Sequence, residues 1–295
     1  TGDFIGNYVF SDGYSGSFSP HGGAIGNDNS TIGDITGNFI GNYISVKTSS
    51  SQVARGGAIF NADFFSNSKR DAVIGNITGD FIGNYVSHTS TFRAVSYGGA
   101  IYNNGTIGNI TGDFIGNYVY SNRDSGGGAI YNNGVSIGNI TGDFIGNYTF
   151  SDSYNDSLGG AVYTKENMTF TSGADTHFMS GNYTKKNGRK NVYNVIYGSG
   201  TPIITFDTTG GGAWVINDSV EDGSYVFKGD DIIDTATGTT TQYVAMNNDI
   251  VNVKDVKVEN TTLKFGAYQH KDQSAHNWDG KGAFVASMYR DADAV

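Results

Sequence analysis

The segment GGAIYNNGTIGNITGDFIGNYV, residues 98–119, returns almost letter for letter as GGAIYNNGVSIGNITGDFIGNYT at 127–149. A globular chain has no use for such a repeat, because each of its strands meets a different environment. A stack of similar layers does, because each layer meets a copy of itself. Two anchors extend the pattern. Gly-Gly-Ala-Ile/Val places its alanines at Ala24, Ala58, Ala100, Ala129 and Ala161, and Phe-Ile-Gly-Asn-Tyr begins at Phe4, Phe39, Phe81, Phe114 and Phe144. FMSGNY from Phe178 reads as a sixth copy, stretched by one residue. A unit of about 30 residues with variable insertions is the signature of a solenoid.

The units are rich in Ile, Tyr, Phe, Val and Thr and are cut by Gly and Asn every few residues. No segment offers the roughly 10–12 uninterrupted residues that a helical face needs. Three short strands per unit follow, around AIYN, TIGNIT and DFIGNYV. Three strands joined by glycine-bearing turns make one coil of a right-handed parallel β-helix. Successive coils rise by about 4.8 Å, the spacing of paired strands. Equal positions then stack into ladders. Phe4, Phe39, Phe81, Phe114 and Phe144 are expected to form an inward aromatic stack. Asn7, Asn42, Asn84, Asn117 and Asn147 follow a Gly and are expected at a turn, their amides bonding from coil to coil. The isoleucine columns at 32, 74, 107 and 137, at 35, 77, 110 and 140, and at 25, 59, 101 and 130 face inward. Tyr102, Tyr131 and Tyr163 point the other way. These repeats occupy residues 1–190. Residues 191–295 still alternate like strands and read as less regular coils, or a cap, continuing the solenoid.

Composition narrows the functional classes. The 295 residues carry 44 Gly, 2 Pro and no Cys, with a net charge of −10 and a pI near 4.7. Disulfides and thiolate metal sites are excluded. The acidic balance argues against nucleic acid and against an anionic membrane surface as partners. No apolar run approaches the ~20 residues of a spanning helix. The chain begins at Thr1, inside a repeat, without initiator Met or signal peptide, and is read as a fragment of a longer protein.

Alternation of Gly57-Ala58-Ile59 with Phe81-Ile82-Gly83-Asn84, of Gly99-Ala100-Ile101 with Phe114-Ile115-Gly116-Asn117, and of Gly128-Ala129-Ile130 with Phe144-Ile145-Gly146-Asn147 resembles the GGA[I/V]…FxxN repeat of polymorphic outer-membrane proteins and related bacterial autotransporter passengers. The match covers about residues 1–184. The resemblance implies a signal peptide, a β-helical passenger and an outer-membrane β-barrel, the first and last lying outside this sequence. It also implies exposure on the bacterial surface and a role in adhesion to a cell-surface protein or glycan, with self-association as a further possibility. The membrane is then met only through the absent C-terminal barrel.

Catalytic and metal chemistry find little support in the residues. Ser125 sits in an Asp-Ser-Gly-Gly stretch, but none of His21, His88, His177, His270 and His276 lies in a motif that marks a base. Asp3, Asp80, Asp113 and Asp143 share one repeat position with Asn38. A stacked carboxylate column invites Ca²⁺, yet no Asp-x-Asp loop gathers further ligands, and a solvated edge is the preferred reading. Carbohydrate-active β-helix enzymes need clustered Asp/Glu with Arg or Lys in one groove. Glutamate is limited to Glu166, Glu221 and Glu259, so the chain is read as a non-enzyme with no cofactor.

What varies is informative. After each FIGNY comes a segment rich in Ser, Tyr, Phe and Gly, within 9–21, 44–55, 86–97, 119–126 and 149–158. A constant scaffold carrying variable loops is a common way to build a binding surface. Tyr14, Phe18, Phe92, Tyr97 and Tyr154 are the contact candidates. The reading is therefore an adhesin. A spacer without its own ligand and a carbohydrate-active enzyme are the alternatives.

Overall fold

The computed structural model describes residues 1–12, 19–47, 53–62, 72–89, 94–152, 156–186, 192–230, 233–234, 239–240 and 242–266. Among these there are strands and turns and no helix, and the strands stack in parallel into a β-solenoid. Equal repeat positions of the five FIGNY copies pair in register. Phe81 lies between Phe39 and Phe114, and Tyr85 between Tyr43 and Tyr118.

Each regular coil carries six short strands where the sequence suggests three. In one coil these are Ile101–Asn103, Thr106–Ile107, Ile110–Thr111, Phe114–Ile115, Tyr118–Ser121 and Asp124–Gly126. The three expected segments are all extended, but two of them bend at a Gly-Asn corner. Gly116 takes φ 61°, a left-handed conformation that a side chain disfavours. The sixth strand belongs to the segment ahead of Gly-Gly. Its equivalents, Val53–Arg55, Val95–Tyr97, Asp124–Gly126 and Ser157–Leu158, form a separate four-stranded sheet, called here the flap sheet.

The main core is made of the expected columns. Phe39, Phe81, Phe114 and Phe144 are fully buried, with ring centroids 4.7–4.8 Å apart and nearly parallel faces. Ile59, Ile101 and Ile130 and the two other isoleucine columns complete it. The sixth copy enters in a shifted register. Met179, not Phe178, pairs with Phe144 and is buried, while Phe178 is 40% exposed. The inserted residue is absorbed by leaving Phe178 on the outside.

Beside the core runs the asparagine ladder. The backbone N–H and the Nδ2 of Asn84 both donate to Asn117 Oδ1, at 3.0 Å each. Its second Nδ2 hydrogen goes to the carbonyl of Phe39, 2.8 Å away. Asn42, Asn117 and Asn147 repeat this pattern, and Asn182 closes on Asp218 at 2.7 Å. Each amide of this ladder thus has partners for its Oδ1 and Nδ2, which burial demands. A second ladder, unsuspected from sequence, links the buried Asn27, Asn61, Asn103 and Asn132 and ends on Thr164. The Asp column is a third. Asp113 Oδ1 accepts the backbone N–H of Asp143 at 2.8 Å, and Asp80 Oδ1 accepts that of Asp113 at 2.9 Å. These carboxylates are half-buried, so the position is an outer hydrogen-bonded rung rather than a freely solvated edge.

The same column of Phe-type strands continues through Ala213–Ile216, Tyr243–Met246 and Thr262–Phe265. The irregular coils therefore extend one solenoid as far as residue 266.

Candidate binding ridge

The variable segments leave the solenoid at one corner. Each follows a strand of the six-stranded Tyr sheet (Tyr8–Ser11, Tyr43–Val46, Tyr85–His88, Tyr118–Ser121, Tyr148–Ser151, Tyr183–Lys186); the four after Tyr43–Val46, Tyr85–His88, Tyr118–Ser121 and Tyr148–Ser151 return through the flap sheet, and the first meets it at the His21–Arg55 bridge. Both sheets are parallel and in register, so the exits stack and the returns stack. The loop bases form a single file along the solenoid axis, at the strand spacing of about 4.8 Å.

Why the chain must return here follows from Gly-Gly-Ala. Gly98 has φ 67°, and a Cβ on Gly99 would stand 2.0 Å from the carbonyl oxygen of Gly128 and 2.6 Å from that of Tyr118. The flap and the main barrel are pinched together at that point, and only glycine fits. Within the flap, Ile44, Val46, Ala54 and Val86 make a small apolar core. Along the axis this core turns polar. His88, Ser96, Ser121, Ser125, Ser151 and Ser157 occupy it, all buried. Burial pushes the His88 imidazole down to about 4, so it is neutral at pH 7.

The loops are shorter than the sequence suggests. Much of what the structure describes of 44–55, 86–97, 119–126 and 149–158 is strand: Tyr43–Val46 and Val53–Arg55, Tyr85–His88 and Val95–Tyr97, Tyr118–Ser121 and Asp124–Gly126, Tyr148–Ser151 and Ser157–Leu158. Tyr14, Phe18, Phe92 and Tyr154 lie outside the described residues. Tyr97 is in the flap sheet, half-buried, its ring 4.2 Å from that of Tyr131. Burial, with the nearby Asp124 and tyrosines, pushes its phenol up to about 12. It covers the outward column Phe60, Tyr102, Tyr131 and Tyr163, as Arg55 covers Tyr102 and His21 covers Phe60 in neighbouring coils. Tyr97 thus belongs to the scaffold that carries the loops.

Sequence reasoning missed the aromatic surface nearest the loops. The Tyr of FIGNY points outward, and Tyr8, Tyr43, Tyr85, Tyr118, Tyr148 and Tyr183 stack at 4.7–5.2 Å with their edges toward solvent. Burial by their neighbours pushes Tyr118 and Tyr183 up to about 12. Strict period-2 counting from the inward Phe would have placed this Tyr inward; the Gly-Asn corner resets the count.

Ser125 is buried and bonded to Ser157 Oγ at 3.0 Å, which in turn donates to Thr149 Oγ1 at 2.8 Å. These partners make it a rung of the flap core. Among the described residues, no group of three or more His, Asp or Glu gathers as a metal site, and no helix is long and apolar enough to cross a membrane.

The fold and the corner define a class: a parallel β-solenoid with insertions aligned on one edge. Comparison with protein-family models, with curated proteins and with solved structures gave no match to this chain.

Proposed function

We propose that this chain is the passenger region of a bacterial cell-surface adhesin of autotransporter type, and that it binds another cell's surface through the loop file rather than by catalysis. The observation that supports this reading is the stacking of variable segments on an invariant corner. Residues that differ from coil to coil are thereby gathered on one continuous strip, while residues that repeat are used up in ladders. The outward tyrosine rail beside them adds amphipathic edge area at low entropy cost. The resemblance of the GGA[I/V]…FxxN pattern to autotransporter passengers supports the surface location and the adhesive role.

The test replaces 12–20, 48–52, 89–94 and 152–156 by short Gly-Ser turns, together and singly. Circular dichroism and the melting midpoint should stay close to the parent, because insertions at turns add little to the core. Binding to cultured epithelial cells and to cells of the producing bacterium, read by flow cytometry, should fall at least tenfold for the combined variant. Unchanged binding by a folded, loop-trimmed protein would make this region a spacer.

A further inference from the structure

Away from the Tyr sheet and the flap sheet, on a different sheet of the solenoid, the irregular coils carry a groove of about 620 Å³. Its floor is one sheet. Register places Thr169, Thr205, Val226 and Lys257 in one row across the coils, and Thr171, Asp207, Lys228 and Glu259 in the next. Ser224 and Asp255 stand beside Ile203 in a third. Alternate residues Ile204, Phe206, Tyr225 and Phe227 point into the core, which fixes the others outward.

The second row does not begin at the groove. Upstream it continues as Thr36, Thr78, Thr111 and Thr141, paired coil to coil, with Thr141 Oγ1 and Thr171 Oγ1 2.7 Å apart. Five threonines therefore lead into Asp207, Lys228 and Glu259, one polar group per coil. A rail of this kind suits a ligand that is itself a repeating chain of hydroxyls, laid along the solenoid axis with about one unit per coil rise of ~4.8 Å.

We propose that this groove and its threonine rail bind a neutral oligosaccharide, lying parallel to the axis and held by hydroxyl and carboxylate hydrogen bonds over the apolar patch of Ile203 and Val226. Charge excludes the obvious competitor. Asp207, Asp255 and Glu259 outnumber Lys228 and Lys257, and both lysines are already committed, Lys228 to Asp207 at 3.0 Å and Lys257 to Glu259. A polyanionic glycan would meet net negative charge without a free cation. The same pairing argues for binding over cleavage. Although burial works against ionisation of Asp207, its bonds from Thr209 and Lys228 prevail and hold its carboxyl below the usual range, and hydrogen bonding to Asp207 raises Lys228. Neither group is poised to give or take a proton near neutral pH. This site is independent of the loop file.

Titration calorimetry of the whole chain with cellohexaose, chitohexaose and maltohexaose tests it, with polygalacturonate as the anionic probe. At least one neutral hexasaccharide should bind, and its disaccharide should bind at least tenfold more weakly. Val226→Trp fills the groove and should lower affinity at least tenfold. Asp255→Ala, at an exposed side chain that cannot disturb folding, should lower it at least threefold. The loop-trimmed protein should bind as the parent does, which separates this site from the adhesive reading. Absence of binding by all three hexasaccharides at millimolar concentration, tighter binding of polygalacturonate, or parent-like affinity in both variants would overturn the proposal.

Discussion

Residues 1–186 and residues 192–266 belong to one solenoid but solve its core differently. In the first region each coil copies the last. Phe rings lie face to face within 7° of parallel, and the buried amide ladder is uncharged. At the junction Phe170 meets Phe144 edge-on at 83°, and in the second region Trp214 sits edge-on to Phe170 and Phe206 while Phe206 and Phe227 stack less closely, at 5.8 Å and 17°. Asp218 replaces the asparagine rung, and charged residues replace threonine on the outer face. Stacking identical residues gives every group a partner without further design, but it also forces the same surface on every coil. Departure from the repeat costs partners and yields a local surface that differs from its neighbours. The groove arises where that departure occurs.

The largest effect that would break this comparison lies in the amide ladder. Asn117→Leu removes the acceptor of the Asn84 N–H and Nδ2 and the donor to Asn147 and to the Phe81 carbonyl. At about 1–3 kcal/mol per stranded buried group, it should cost at least ~4 kcal/mol in denaturant unfolding. Asn7→Leu at the exposed end of the ladder should cost about 1 kcal/mol or less. Similar losses at both positions would show that the ladder is not what holds the regular coils.

Next in size is the aromatic column. Phe114→Ala should cost about 3–5 kcal/mol through lost transfer and a cavity between stacked rings. Phe178→Ala, one repeat position off register on the outside, should stay within ~0.5 kcal/mol. The reverse order would mean that the shifted register at Met179 is wrong.

Those two positions also mark what the sequence could and could not disclose. Phe and Asn at invariant offsets from one another, with small residues between, predict stacking whatever the cross-section, and so the columns were legible. The cross-section was not. Whether Gly108-Asn109 and Gly116-Asn117 continue a strand or turn a corner depends on backbone angles that the letters leave open, and three strands became six. The outward side of Tyr118 was hidden for the same reason. At Phe178 the identity of the letter misled, because one inserted residue moves a whole strand's side chains across the sheet. The groove was hidden because Asp207, Lys228 and Glu259 are 21 and 31 residues apart in sequence, with no repeat to align them. Tyr97 was drawn to the loops by composition, while its partner Tyr131 comes from the following coil.

The two regions should also respond oppositely to acid. His88 in the flap core is held down to about 4 by burial, against an ordinary value of 6.5. The unfolded chain binds the extra proton, so stability from this site is present above pH 6.5 and is lost as pH falls toward 4. Asp218 is pushed up to about 7 by burial, against the hydrogen bonds from Asn182 and Gly181, from an ordinary 3.8. Here the folded chain binds the proton, so stability is greatest below pH 4 and is lost as pH rises to 7. Hydrogen exchange at pH 5 and pH 8 should show the flap strands around His88 less protected at the lower pH, and the Gly181–Asn182 amides less protected at the higher. Asp218→Asn keeps an acceptor for Asn182 and removes the buried charge. It should raise the melting midpoint at pH 8 and flatten the second dependence while leaving the first. A parallel response of both regions would contradict the assignment of the two groups.

The smallest effect concerns the Asp column of the regular coils, and its smallness is the point. Each carboxylate there has one oxygen occupied by a backbone N–H of the next coil, as Asp80 has by Asp113 and Asp113 by Asp143. Asn38 does the same work with an amide oxygen, donating its own backbone N–H to Asp3 and accepting that of Asp80 at 2.9 Å. The position therefore asks for an acceptor and not for a charge. Neighbouring carboxylates one strand spacing apart repel by roughly 1 kcal/mol in water, and partial relief of that term offsets the weaker acceptor of an amide. Asp113→Asn should thus change the unfolding free energy by no more than ~0.5 kcal/mol. Asp113→Ala strands the Asp143 N–H in a half-buried rung and should cost about 1 kcal/mol. If hydrogen bonding accounts for the column, excess EDTA should leave the melting midpoint of the parent chain where it was, and added Ca²⁺ should not raise it. A fall of several degrees with EDTA, reversed by Ca²⁺ and absent in Asp113→Asn, would make the column a cation site and the outer rung its ligand set.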